Sequence, residues 1–171
     1  ILAPRLISQN YKNNYIEIED FGDLTIFKKF KKKPVNKKTY YKKILDLLVK
    51  INKIKVKYQK TFLKTNYKIP EYTSKKLLEE TNLFLEWYLP KYIKGTKKKI
   101  LKIKLKKIFK KLLNNISYKK KVFVHRDFHI SNIMITKKGL GLIDSQDAVY
   151  GNIAYDLASL IDDVRLKTHI R

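Results

Sequence analysis

The chain has 171 residues, with 40 Lys and Arg against 15 Asp and Glu, a formal net charge of +25 and no cysteine. That length supports one core of moderate size, and the missing thiols exclude disulfides, thiolate catalysis and Cys-ligated zinc. No apolar run approaches 18 residues and no signal-type segment is seen, so the expectation is one soluble, cytoplasmic protein with no membrane partner.

A charge this large makes nucleic acid an obvious partner to weigh. Only Arg5, Arg126, Arg165 and Arg171 are arginines; the other basic residues are lysines, alongside abundant Ile, Asn and Tyr. Readers of nucleic acid lean on arginine for bidentate contacts. The lysine bias fits compositional drift on neutral surface positions better than a nucleic-acid function.

The first stretch, APRLISQN, reads as a loop rich in turn formers. Tyr15, Ile16 and Ile18 then suggest a short strand ending at Glu19, Asp20 and Gly22. Two readings are open here: a hinge between lobes, or an edge strand with a solvated acidic end. Leu24 to Phe30 begins a helix that KKFKKKPVNKK interrupts with Pro34 and a charge run. From Tyr40, the positions Tyr41, Ile44, Leu47, Leu48, Ile51 and Ile54 recur at helical spacing and predict a helix with one buried face.

Pro70 ends the next irregular stretch. Ser74 is the predicted N-cap of a helix running through Leu77, Leu78, Leu83, Phe84 and Trp87. Glu79, Glu80 and Glu86 form the main acidic cluster outside the later loop segment and read as solvated helix-face residues, with Glu86 a lesser candidate for contact with a hydroxyl. Residues 98–117 gather Leu101, Leu105, Ile108, Phe109, Leu112, Leu113 and Ile116 into one stripe, with lysines opposite. Alone, that is the profile of a membrane-surface helix. Because it precedes the strand described next, the stripe is expected to pack into the core.

The richest signal is Val122 to Asp144, VFVHRDFHISNIMITKKGLGLID. It reads as strand, polar loop, strand, Lys-Lys-Gly turn and third strand, with Asp127 and Asn132 on the loop and Asp144 closing the last strand. Two carboxylates and an amide so arranged suit phosphoryl transfer: one acid takes the proton of an attacking hydroxyl, while an amide oxygen and the second acid hold magnesium on nucleotide phosphates. A turn in which Asp and Asn merely cap backbone would leave Asp144 unexplained. His125 is expected to brace the loop; His129 either approaches phosphate or braces too; Arg126 is expected to pair with an acid. Asp147 is a lesser candidate for assisting metal or substrate, and His169 has no evident partner.

HRDFHISN and GLID match the catalytic spacing of protein kinases, except that His129 replaces a lysine and Ser145-Gln146 follow Asp144 in place of Phe-Gly. A further helix, within GNIAYDLASLIDDV, starts about ten residues after Asp144 and leaves no room for an activation segment. The arrangement resembles the aminoglycoside phosphotransferase and choline kinase group of small-molecule kinases. With IEIEDFGDLT, LFLEWYLPKY and IDSQDAVYGNIAYDLASLIDD, it is most similar to the bacterial anomeric kinases of N-acetylmuramate and N-acetylglucosamine.

The resemblance implies an α+β, protein-kinase-like fold: chiefly the helical C-terminal lobe with a short β catalytic segment, most of the N-lobe missing. On this expectation residues 1–22 are a remnant N-lobe strand and hinge, and residues 23–171 an incomplete lower lobe, truncated at both ends. No roof lysine or partner glutamate can be placed. The resemblance further implies ATP and Mg²⁺, Asp127 as catalytic base, Asn132 and Asp144 as metal ligands, backbone at Glu19, Asp20 and Phe21 against adenine, and Asp156 tying the last helix to the catalytic loop. Forty basic residues disfavour a polycationic aminoglycoside, so a neutral or anionic amino sugar is the expected substrate.

Overall fold

The computed structural model describes residues 1–32, 34–61, 64–116 and 121–165; the readings of His169 and Arg171 fall outside them. The fold mixes helices with four two-stranded antiparallel sheets.

Strands β1 (Leu6–Asn10) and β2 (Tyr15–Ile18) form the first hairpin. APRLISQN is therefore a loop only in its first part: the ladder from Leu6↔Ile18 to Asn10↔Tyr15 overrides its turn-forming composition. Asn10 accepts a hydrogen bond from the Asn13 backbone N–H at 3.1 Å, and Asn14 closes the turn with φ 56°.

Helix α1 (Ile26–Lys32) buries Ile26 and Phe30. Helix α2 (Lys37–Asn52) starts at Asn36, whose side chain accepts from Thr39 N–H. Ile44, Leu47, Leu48 and Ile51 bury along one stripe of α2, as their spacing predicts. An exposed hairpin, β3 (Tyr58–Lys60) and β4 (Asn66–Lys68), follows.

Helix α3 (Ser74–Leu83) is capped one residue earlier than expected. Thr73 has the extended φ and ψ that a cap needs, and its hydroxyl accepts from Lys76 N–H. The helix then widens into a π-helical turn, Phe84–Tyr88, before α4 (Leu89–Tyr92) and the long α5 (Gly95–Asn115). The expected burial of the α5 stripe is realised only in part, with Leu101, Leu105 and Phe109 half-buried. Leu113 alone on that helix is buried, while Ile108 and Leu112 are exposed. The reason is placement: α5 lies against α3 and the π turn, through contacts such as Phe84 with Phe109, and not against the central core. Trp87, which the sequence places in the same helix as Leu77 and Phe84, lies in the π turn and is 72% exposed.

Strands β5 (Lys121–Val124), β6 (Ile133–Thr136), β7 (Gly139–Leu142) and β8 (Val149–Asn152) precede α6 (Tyr155–Ile161). β6 and β7 form a tight hairpin in which the Thr136 hydroxyl accepts from Lys138 N–H and donates to the Gly139 carbonyl. Gly139, at φ 122°, occupies backbone space costly for any side chain. β5 pairs with β8.

The main core lies directly beneath the β5–β6 loop. Phe128 and Ile130 from the loop join Ile133, Leu142, Ile26, Ile44 and Ile51. Each fully buried side chain of this kind is worth about 1.5–3 kcal/mol, so the loop is anchored from below by its own apolar residues. Among the described residues, no helix is long and apolar enough to cross a membrane.

Candidate active site

The β5–β6 loop alternates apolar residues that point down with polar ones that remain above them. Phe128 and Ile130 are fully buried, whereas Asp127 and Asn132 keep part of their surface. Two backbone bonds coil the loop: His129 N–H donates to the Asp127 carbonyl at 3.0 Å, and Asn132 N–H to the His129 carbonyl at 2.9 Å. The Asn132 side-chain amide also donates to the Asp127 carbonyl, at 3.2 Å. Its Oδ1 is thereby the end of the amide left for a cation or another donor.

Asp144 is exposed, two residues beyond the end of β7, with φ 67°. The expected strand ending is thus slightly shifted. The last bond of this stretch, Ile143 N–H to the Asn132 carbonyl at 3.1 Å, brings it beside the loop. Asp127 and Asp144 both act electrostatically on His125, raising its pKa against the effect of burial. A left-handed non-glycine residue costs on the order of 1 kcal/mol or more, and such residues cluster where function needs a fixed side chain. Besides Asn14 and Lys64 in surface turns, Arg126, with φ 75°, shares this conformation and sits at the same loop.

What holds Arg126 in that conformation is Asp156. Its carboxylate is completely buried and accepts from His125 N–H at 2.8 Å and Arg126 N–H at 3.0 Å. A buried carboxylate is tolerable when hydrogen-bonded in this way. Burial nonetheless raises its pKa to about 6, with Asp127 adding to the rise and the two N–H bonds opposing it. The expected tie between the last helix and the loop is this pair of bonds.

His125 is buried and edge-on to Phe128. Burial pushes its pKa down, against the pull of Asp127 and Asp144. It therefore serves as a neutral packing group under the loop. His129 is half-buried, and burial, then Arg165, lowers its pKa as well.

Arg126 finds its acid in Glu80 of α3, at 2.9 Å, with its guanidinium over the Tyr72 ring. The Tyr72 hydroxyl donates to Glu80. Glu80 and Tyr72 belong to the surroundings of the loop, although sequence reasoning treated Glu80 as a solvated residue. Glu80 is 46 positions from Arg126, and the only hint was the expectation that Arg126 pairs with an acid. Glu86 instead pairs with Lys102 at 2.7 Å.

Glu19, Asp20 and Phe21 lie where the chain leaves β2 for the floor of the β6–β7 hairpin. Glu19 N–H donates to the Arg5 carbonyl at 2.8 Å, and Asp20 accepts from Gly22 N–H at 2.7 Å. The Phe21 ring covers Gly141 of β7 so closely that a Cβ there would lie 2.7 Å from it. On the other edge, Ile135 N–H bonds the Leu24 carbonyl. The stretch is therefore fastened to the same hairpin that leads to Asp144, with the Glu19 amide already committed.

The described residues contain no cluster of three or more His, Cys, Asp and Glu able to hold a metal. The amide oxygen of Asn132 and the carboxylate of Asp144 are a sparse, all-oxygen donor set. That suits Mg²⁺, which keeps water and phosphate among its ligands.

The chain is similar to three proteins named N-acetylmuramate/N-acetylglucosamine kinase. The one from Neisseria meningitidis is 40% identical over 99 residues, 56% of this chain and 28% of that protein. The one from Pseudomonas aeruginosa is 28% identical over 161 residues, 94% of this chain and 44% of that protein. The one from Pseudomonas putida is 34% identical over 95 residues, 56% of this chain and 28% of that protein. The chain thus spans less than half the length of these relatives. Residues 30–169, which include Asp127, Asn132 and Asp144, match the profile described as the phosphotransferase enzyme family, and the chain belongs to that family.

Proposed function

We propose that this chain carries the catalytic loop of an ATP-dependent kinase that phosphorylates a hydroxyl of a small molecule, an amino sugar such as N-acetylmuramate or N-acetylglucosamine. In this reading residues 1–22 form the hinge side and residues 23–171 the lower lobe. The observation that carries it is the bond from the Asn132 amide to the Asp127 carbonyl, which sets an acid and an amide oxygen together on one anchored loop beside Asp144.

Asp127 accepts the proton of the acceptor hydroxyl as that oxygen attacks the γ-phosphorus. The bond from phosphorus to the β–γ bridging oxygen breaks, and ADP leaves with the electron pair. Asn132 Oδ1 and Asp144 are the groups that would hold Mg²⁺, which would neutralise charge on the phosphates. Adenine is assigned to the backbone around Glu19, Asp20 and Phe21. The committed Glu19 N–H leaves that task to the other backbone groups of the stretch.

The relatives' names support the sugar, as does the excess of lysine over acid, which disfavours a polycationic acceptor. The test is phosphate transfer from Mg-ATP followed by ³¹P NMR, with N-acetylglucosamine, N-acetylmuramate, choline and an aminoglycoside as acceptors. A sugar phosphate formed only with the two amino sugars is the expected result. Product with choline or the aminoglycoside alone would overturn the substrate reading.

A further inference from the structure

Arg126 is the residue immediately before Asp127, so whatever fixes Arg126 bears on the direction in which the Asp127 carboxylate leaves the loop. Its backbone N–H is held by Asp156. A second hold, from a different element, acts on its side chain. Glu80 Oε1, on α3, accepts from Arg126 Nη2 at 2.9 Å, and Glu80 Oε2 accepts from the Tyr72 hydroxyl. Both carboxylate oxygens are thereby committed, and the guanidinium lies 5.2 Å over the Tyr72 ring.

Tyr72 gives this hold a rigid base. It is buried, packs with Val122, Val124 and Val149, and donates its N–H to the Tyr150 carbonyl at 2.8 Å. Its hydroxyl lies 3.5 Å from that of Tyr155, the residue next to Asp156, so the two holds on Arg126 meet at the start of α6. At 27% and 32% exposure the Arg126–Glu80 pair is too open to stabilise the whole fold strongly. What it supplies is geometry: a charge-assisted bond from a planar fork, with the fork laid on a fixed ring, leaves the side chain one orientation.

We propose that Glu80 is a positioning residue for Asp127: acting through Arg126, it holds the β5–β6 loop in the arrangement that aims the acid. Its effect on turnover rests on the kinase reading; its effect on the loop does not.

Hydrogen exchange of the full chain, read by ¹H–¹⁵N NMR without nucleotide, measures the loop. The probes are the N–H groups of His129 and Asn132, whose bonds to the Asp127 and His129 carbonyls coil it. In Glu80→Ala and Glu80→Gln both are expected to exchange about tenfold faster, the scale of one lost charge-assisted hydrogen bond. The His125 N–H on Asp156 and the urea midpoint stay near native. So does every probe in the control Glu79→Ala, which breaks only an exposed pair with Lys76 on the same helix. Phosphate transfer by the two Glu80 variants is expected to fall about 10- to 100-fold in kcat, the scale of a misplaced reacting group, with KM for ATP little altered. Arg126→Ala gives the same loss, and adding Glu80→Ala to it costs nothing more.

Native exchange at both probes in both Glu80 variants would overturn the proposal and leave the kinase reading intact. Equal acceleration at every amide, or kcat losses that add in the double variant, would overturn it too. A loop loosened in this way, in a chain whose native form transfers no phosphate, would count against the kinase reading alone.

Discussion

Arg126 takes a left-handed backbone conformation because the buried carboxylate of Asp156, thirty residues away, accepts its N–H at 3.0 Å and that of His125 at 2.8 Å. One acidic residue of α6 thus sets the direction in which the chain enters the β5–β6 loop.

This arrangement gives Asp156 a pH signature. Its pKa in the fold is about 6, above the ordinary 3.8, so the fold binds more protons than the unfolded chain between those values. The contribution is fully present below about pH 4 and is lost as pH rises through about 6, on the order of 3 kcal/mol. In Asp156→Asn that decline disappears, while one of the two buried N–H groups loses its partner at about 1–3 kcal/mol. Urea denaturation of both proteins from pH 4 to 7 measures it; parallel stability curves would contradict the account.

His125 acts in the opposite sense. Burial lowers its pKa, so its contribution is present above about 6.5 and is lost as pH falls below its depressed value. ¹H–¹⁵N correlation of the imidazole is expected to show a neutral ring at pH 6.5 in the native protein. A ring mostly protonated at that pH would contradict the packing role.

Gly141 is held open for the Phe21 ring. A methyl there would lie 2.7 Å from ring carbons, so Gly141→Ala must displace Phe21, at about 1–3 kcal/mol by analogy with overpacked cores. If the stretch through Phe21 also faces adenine, the same variant weakens ATP binding, and Gly141→Ala with Phe21→Leu recovers part of both losses. Calorimetric titration with ATP and urea denaturation read the two effects. A Gly141→Ala protein of native stability would show that the ring is not confined.

The lysine surface makes a separate claim. If the +25 charge is surface drift, single-stranded oligonucleotides bind at low salt and release steeply as salt rises. Fluorescence anisotropy is expected to find no binding at about 150 mM salt, where the Debye length is near 8 Å. Retained tight binding would revive the nucleic-acid reading.

The parts of the fold readable in advance were those specified by local pattern. The α2 stripe needed only its period, and the β5–loop–β6–turn–β7 unit needed only apolar runs and one glycine. The ladder that makes β1 out of APRLISQN was hidden because its partner lies beyond a turn. Likewise β8 was missed: Val149–Asn152 reads as the approach to a helix until β5 is placed beside it. Periodicity showed that α5 has an apolar stripe and could not say what covers it. The site divides the same way. Asp127, Asn132 and Asp144 were marked by spacing, whereas Glu80 and Tyr72 reach Arg126 only through tertiary packing.

The most direct test of the central claim is turnover of Asp127→Asn, a change that keeps size and removes the proton acceptor. Phosphate transfer from Mg-ATP to N-acetylglucosamine is expected to fall about 10²–10⁴-fold in kcat, the scale of general-base catalysis, with KM for ATP little altered. A variant that transfers phosphate at the native rate would contradict the assignment of Asp127 and the site built around it.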